Sequence, residues 1–262
     1  RFWRPQSCGV GSGFSIKGGK MEQLRDILER MPRPTQNLSP LRIDEPDCPG
    51  CNDLRMVHPL KEDGKPDLSR VVPCRRCMDN ETIQRHLGIS SIKATFDNFI
   101  LRTGSESAYK SAKLLAELRT TWKLLLIYGS WGNGKTHLIE AIALALWGRG
   151  SSASVRNFPS FIERLKSTFD RVKAPGDNTF IDIMGGICST PYLLLDDVGA
   201  AGSFTPFALA QLERIILARY RDNAFTVITT NLDQSEIPPF IISRFSDTEK
   251  GRMVLNTSTD YR

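Results

Sequence analysis

The chain has 262 residues, of which 40% are hydrophobic, with 20 glycines and 15 prolines. That is enough apolar material for one large domain or two smaller ones, and it excludes a collagen-like, low-complexity or wholly disordered chain. Lys and Arg total 35 against 29 Asp and Glu, a formal charge of +6, which permits a polyanionic partner without requiring one. The longest apolar runs, Leu124 to Tyr128 and Ile139 to Trp147, are too short to span a bilayer, so no membrane association is expected. Arg1-Phe2-Trp3-Arg4-Pro5 leads into a Gly/Ser stretch and is not the pattern of a secretory signal. Because residue 1 is not Met, residues can be missing from the sequence, and short contiguous motifs carry the most weight.

Residues 1–20 are glycine-rich and read as a mobile arm. Met21, Leu24, Ile27, Leu28 and Met31 follow a helical period, which Pro32 and Pro34 end. Residues 35–47 are a proline-punctuated connection. Four of the six cysteines then form two pairs, Cys48-Pro-Gly-Cys51 and Cys74-Arg-Arg-Cys77, with 22 residues between them. Two CxxC turns closing on one ion make a tetrahedral S4 site, and zinc is the expected metal. An iron–sulfur centre or four unrelated buried thiols are the alternatives. His58 can replace a ligand, although four cysteines already complete the shell. Asp63-Gly64-Lys65-Pro66 reads as a turn between two short strands, as in a zinc ribbon. The segment is too small and polar to fold around carbon alone, so metal is expected to supply folding energy. This cysteine usage fits a reducing compartment such as a cytosol.

Residues 79–120 read as mainly helical, interrupted near Thr103-Gly104-Ser105, with an amphipathic helix from Tyr109 to Leu118. From Trp122 the texture becomes α/β. Strands are expected at Leu124–Tyr128, Ser154–Asn157, Tyr192–Leu195 and Phe225–Thr230, with helices after the glycine loop, at Ser160–Phe169 and at Pro206–Tyr220. This alternation implies a mostly parallel sheet covered on both faces. The domain reading is therefore arm and helix 1–47, cysteine module and linker 48–90, and an α/β domain 91–262.

Gly129-Ser130-Trp131-Gly132-Asn133-Gly134-Lys135-Thr136 matches the phosphate-loop pattern GxxxxGK[ST], between a strand and a helix. The glycines let backbone N–H groups wrap a β-phosphate. Lys135 reaches the β- and γ-phosphate oxygens, and Thr136 offers its hydroxyl to Mg²⁺. Leu193-Leu194-Leu195-Asp196-Asp197 carries a carboxylate to the C-terminal edge of the sheet, where open α/β sheets bind ligands. Asp196 is expected to hold Mg²⁺ through water, and Asp197 to orient or deprotonate the attacking water. Asn231, ending Val227-Ile228-Thr229-Thr230-Asn231, is placed to orient that water or sense the γ-phosphate, or simply to cap the next turn.

Residues 90–262 resemble the AAA+ ATPases of the bacterial and phage replicative helicase-loader group and the related ATPase partners of transposases. The likeness rests on Phe96-Asp97-Asn98-Phe99, Gly134-Lys135-Thr136-His137-Leu138, Leu195-Asp196-Asp197-Val198-Gly199 and Ala218-Arg219-Tyr220. It continues in Thr229-Thr230-Asn231-Leu232, Ile242-Ser243-Arg244-Phe245 and Thr259-Asp260-Tyr261-Arg262. The resemblance implies an α/β AAA+ P-loop fold preceded by a small zinc-ribbon-like domain. It implies ATP hydrolysis with Mg²⁺ and a nucleotide cradle of Gly129, Gly132, Asn133, Gly134, Lys135, Thr136, His137 and Asp196. Asn231 is then the polar sensor, Arg244 an arginine finger reaching a neighbour's ATP, and Arg262 a second sensing arginine. Arg219 reads as a residue on a polar-facing turn. Many AAA+ proteins have Glu where this chain has Asp197. Phe204 and Phe207 either pack inside or touch DNA.

Residues 1–90 carry 15 basic and 12 acidic residues, a net charge of +3, which is not a strong polyanion footprint. Some helicase loaders resemble this arrangement of a zinc-binding domain ahead of the ATPase. The leading expectation is an ATP-dependent loader of a replicative ring helicase onto DNA, single-stranded in this reading, working as a homo-oligomer in the ATP state. The alternatives are a transposition ATPase that marks target DNA and recruits a transposase, and a nucleotide-gated adaptor with negligible turnover.

Overall fold

In the computed structural model of the chain, the described residues are 47–58, 65, 66, 68, 69, 71–74, 76–151, 153–170, 178–200 and 204–261. The Met21–Met31 helix, the 63–64 half of the expected ribbon turn, and Arg262 lie outside them.

The first elements among the described residues are two short antiparallel strands, β1 (Met56–Val57) and β2 (Val72–Pro73), paired Met56↔Pro73 and Val57↔Val72. They bring the two CxxC turns together. Helix α1 (Asn80–Leu87) follows, with the Asp79 carboxylate accepting from the Thr82 N–H at its start and Gly88 at φ 76° ending it, the expected cap chemistry at both ends. Leu87 and Ile89 are buried in the core of the α/β domain. The residues between α1 and α2 (Glu106–Ala116) are turns and bends, so helix occupies less of 79–120 than its periodicity suggests.

Five strands form a wholly parallel sheet in the order β4-β5-β6-β3-β7: β3 (Leu124–Tyr128), β4 (Ala153–Asn157), β5 (Tyr192–Asp196), β6 (Phe225–Thr230) and β7 (Gly251–Leu255). Every residue of β3 and β6 is buried, as strands covered on both faces must be. The two-residue period divides β3 between two cores. Leu125 and Ile127 join α2 and α3 (Lys135–Gly148) on one face. Leu124, Leu126 and Tyr128 join α4 (Phe158–Asp170), α5 (Phe180–Ser189), α6 (Pro206–Arg221) and α7 (Pro239–Phe245) on the other. Phe204 and Phe207 pack against this second core.

Two elements depart from the pattern reading. Strand β7 follows β6, which therefore is not the last strand; it is an edge strand with only Gly251 and Val254 buried, so its sequence shows no apolar run. Helix α5 contains Gly185 and Gly186, which argue against helix, but Thr179 and Asp182 form a reciprocal capping box at its start and nucleate it.

Arg219, read above as polar-facing, is fully buried. Its guanidinium donates to the Thr226 hydroxyl (2.8 Å) and to the carbonyls of Ile187, Cys188, Thr190 and Phe225. It thereby satisfies the C-terminal carbonyls of α5 and joins that helix to α6 and β6. Burial lowers its pKa to about 10, so it keeps its charge at neutral pH. Replacing Arg219 by Ala would leave these carbonyls unpaired around a cavity. Chemical denaturation is expected to show a loss of about 3–5 kcal/mol; a loss below about 1 kcal/mol would mean that water replaces the guanidinium at little cost.

Candidate nucleotide site and cysteine cluster

The loop between β3 and α3 opens at the C-terminal edge of the sheet. Gly132 and Gly134 have φ of 72° and 84°, a region open to glycine at little cost. Space forbids side chains there as well. A Cβ on Gly132 would lie 2.0 Å from the Asp260 carboxylate, and one on Gly134 would lie 2.9 Å from the Phe99 ring. The segment after β7 is laid against the loop. Asn133 Nδ2 donates to the Asn256 carbonyl and Asn256 Nδ2 to the Asn133 carbonyl, both at 2.8 Å, and Tyr261 N–H donates to the Gly132 carbonyl at 2.9 Å. Arg102 fixes this segment in turn, donating to the Asp260 carbonyl at 2.6 Å with its guanidinium 4.2 Å from the Tyr261 ring centre.

Lys135 is buried, and its ammonium donates to the carbonyls of Gly129 (2.9 Å) and Ser130 (2.6 Å) and to Asn133 Oδ1 (2.8 Å). Burial lowers its pKa to about 8, with Asp197 and Asp196 pulling the other way. The Thr136 hydroxyl donates to Asp196 Oδ2 at 2.9 Å, and the Thr229 hydroxyl donates to Asp196 Oδ1. Burial raises the Asp196 pKa, and the two hydroxyls oppose it. Thr229 also accepts from the Asp197 N–H at 3.2 Å. Register explains why: Leu195 pairs with Ile228, so the next residue pair on β5 and β6 is Asp196 and Thr229. The sequence reading missed Thr229, although it lies two residues before Asn231 and so on the same strand face.

Asp197 has φ of 57°, a left-handed conformation that Asp adopts more readily than longer side chains. This gives a local reason for Asp where many AAA+ proteins have Glu. Asn231 Nδ2 donates to Asp197 Oδ1 at 3.3 Å. Lys135, Thr136, Asp197, Asn231, Trp131 and Tyr261 line one cleft of about 370 Å³. His137 sits to one side, its Nε2 2.8 Å from the Thr95 carbonyl and its ring edge-on to Phe99. Arg244 lies in the last turn of α7 and is not among the residues that line the cleft of its own chain. The Thr136 hydroxyl and the Asp196 carboxylate are the groups able to hold a divalent cation beside a phosphate.

The sulfur atoms of Cys48, Cys51, Cys74 and Cys77 all lie within 4.8 Å of one another, with Cys48–Cys74 at 3.7 Å and Cys51–Cys77 at 3.4 Å. Tetrahedral zinc–thiolate bonds of about 2.3 Å set sulfurs roughly 3.8 Å apart, so the donor set fits one ion. The first turn is tied by N–H groups of Cys51 and Asn52 donating to the Cys48 carbonyl and by Cys48 N–H donating to Asp53. The Arg76 N–H draws the Cys74 pKa down to about 7 against the opposing effect of burial.

Residues 91–202 match the family model of the bacterial DnaA ATPase domain. The replicative helicase loader DnaI of Bacillus subtilis (strain 168) is 29% identical over 127 residues, 48% of this chain and 35% of that protein; the match thus spans about a third of the relative's length. Among solved structures, AMPPCP-bound DnaA from Aquifex aeolicus aligns with a TM-score of 0.53 at 24% identity, covering 63% of this chain and 50% of that one. The DnaC helicase loader aligns with a TM-score of 0.51 at 22% identity, covering 63% and 98%. The α/β region has the AAA+ fold, and it resembles the ATPase domains of DnaA and of the helicase-loader group, as the motifs implied.

The burial that lowers the Lys135 pKa predicts that a polyphosphate placed beside it would bind with uptake of protons once the pH exceeds about 8, because its charge would favour the ammonium. Nucleoside triphosphate affinity is expected to fall up to about tenfold between pH 7 and pH 9. Calorimetry at pH 8.5 should give a binding heat that changes with the buffer's ionisation enthalpy. Constant affinity with no buffer effect would show that Lys135 stays fully charged.

Proposed function

We propose that this protein is an ATP-dependent loader of a replicative ring helicase onto DNA. The observation that carries the reading is the cleft itself. A complete phosphate loop faces a paired-acid strand, with Thr136 bonded to Asp196 and Asn231 bonded to Asp197, in a chain that also holds a four-cysteine cluster. The likeness to the helicase loader DnaI supports a helicase as client over a transposase.

In this reading Lys135 leaves its loop carbonyls for the β- and γ-phosphates of ATP. Thr136 and Asp196 hold Mg²⁺, which offsets charge on the phosphate oxygens. Asp197, held by Asn231, orients the attacking water. Arg244 of a second copy enters beside the γ-phosphate, where charge develops in the transition state. The triphosphate therefore bridges two subunits, and hydrolysis loosens the assembly and releases the client. The cysteine cluster binds zinc structurally and, with the residues before it, grips the helicase. Single-stranded DNA is the expected nucleic acid.

Lys135→Ala is expected to lose ATP binding, Asp196→Ala to lose Mg²⁺-dependent turnover, and Asp197→Asn to bind ATP but hydrolyse it slowly. Arg244→Ala should keep ATP affinity within a few fold and lose most turnover, and an equimolar mixture with Lys135→Ala protein should regain part of it. No recovery in verified mixed assemblies would argue against action between subunits. The client is tested by recovery of the host's replicative helicase with ATP present and its release on hydrolysis; a transposase recovered instead would replace the reading.

Elemental analysis of protein purified without chelator is expected to give about one zinc per chain, with sulfur-only ligation by X-ray absorption. An iron–sulfur spectrum, or no metal, would reject the zinc assignment.

A further inference from the structure

Arg244 does not project alone. Its guanidinium lies 5.0 Å from the centre of the Tyr220 ring, and the Lys250 ammonium lies 4.5 Å from the same ring. Tyr220 closes α6, where its ring packs partly against the second core. Its hydroxyl donates to Asp247 Oδ2 at 2.6 Å. Asp247 is itself held in the turn between α7 and β7, where its other carboxylate oxygen accepts from the Glu249 N–H at 3.0 Å and its carbonyl from the N–H of Gly251 at 2.6 Å. The ring is thus fixed at both ends, by a helix and by a turn.

Among the described residues no carboxylate pairs with Arg244; its hydrogen bond is to the Ser243 hydroxyl beside it, at 3.0 Å. A guanidinium resting on an aromatic face gains cation–π attraction while its N–H edge stays available. A salt bridge would occupy that edge and would have to break before the group could meet a phosphate.

We propose that Tyr220 is the positioning residue for Arg244. Its ring, locked by Asp247, preorganises the guanidinium for entry into the nucleotide cleft of a second copy of this chain. The proposal rests on the reading of Arg244 as a finger acting between subunits. It adds that the finger's rate contribution depends on a prepared orientation rather than on charge alone. It also gives Tyr220, which is not among the residues lining the cleft of its own subunit, a role exerted in the neighbour's cleft.

The test compares Tyr220→Leu and Tyr220→Phe in the full-length protein, with folding checked by thermal melting; Tyr220→Met serves if the leucine variant is unstable. Tyr220→Leu is expected to lower kcat for ATP about three- to tenfold with KM within about twofold. Tyr220→Phe, which keeps the ring face but loses the bond to Asp247, should fall between Tyr220→Leu and the parent. Mixing Tyr220→Leu with Lys135→Ala protein should restore turnover, because an intact cleft then meets an intact Arg244–Tyr220 pair. The Tyr220→Leu, Arg244→Ala double variant should be no slower than Arg244→Ala. Parent-like turnover in Tyr220→Leu beside an inactive Arg244→Ala would overturn the proposal and leave the finger standing. Parent-like turnover in Arg244→Ala would remove both. A slow Tyr220→Leu that the mixture does not restore, or that slows Arg244→Ala further, would place Tyr220's effect in its own subunit and overturn the proposal.

Discussion

The Asp196 carboxylate is buried at the end of β5 and held by two hydroxyls, Thr136 from the first turn of α3 and Thr229 from β6. A buried carboxylate needs such partners, since its desolvation would otherwise drive it to the neutral form. These bonds fix the start of the phosphate-loop helix against the central sheet. The parallel register does the rest. With β5 and β6 aligned and β3 beside β6, the loop after β3, the acids after β5 and the asparagine after β6 all emerge at one edge. Asp197 and Asn231 are one step beyond Asp196 and Thr230, so the register that seats Asp196 also brings the Asp197 carboxylate and the Asn231 amide together.

The contiguous parts of this site are legible in the sequence because the chemistry demands them in a row. The phosphate loop needs its glycines and lysine at fixed spacing, and a buried strand ending in two acids has few other readings. Long-range parts are not legible in the same way. The reciprocal Asn133–Asn256 amide bonds join residues 123 apart, and neither asparagine looks unusual where it stands. Strand β7 is hidden because it buries only Gly251 and Val254, which leaves neither an apolar run nor an alternation to read. The glycines of α5 obscure a helix whose capping box, Thr179 and Asp182, was a usable signal. Arg219 is the sharpest case. Arginine at a helix end is usually solvated, and the converging carbonyls of Ile187, Cys188, Thr190 and Phe225, with the Thr226 hydroxyl, explain its burial. Two CxxC turns foretold the cysteine cluster well, since four thiols with this spacing have few other reasons to converge.

Lys135, Thr136, Asp197 and Asn231 line the cleft, whereas Arg244 sits on α7 against Tyr220. In the proposed function this separation is the basis of control. A lone subunit can hold a nucleotide but lacks the group that stabilises charge in the transition state. Assembly completes the site, and turnover removes the γ-phosphate that joins the two halves. The segment after β7 adds a further constraint, since its hydrogen bonds to Asn133 and Gly132 hold the loop in shape.

The central claim is that a nucleoside triphosphate, by bridging the cleft of one copy and Arg244 of the next, controls assembly. Sedimentation velocity at fixed protein concentration tests it most directly, with Mg²⁺ and either ADP or a non-hydrolysable ATP analogue. The expected result is a larger species with the analogue, a single-chain species with ADP, and loss of the larger species on Arg244→Ala. The same single-chain boundary with both nucleotides, at concentrations that saturate the cleft, would contradict the claim.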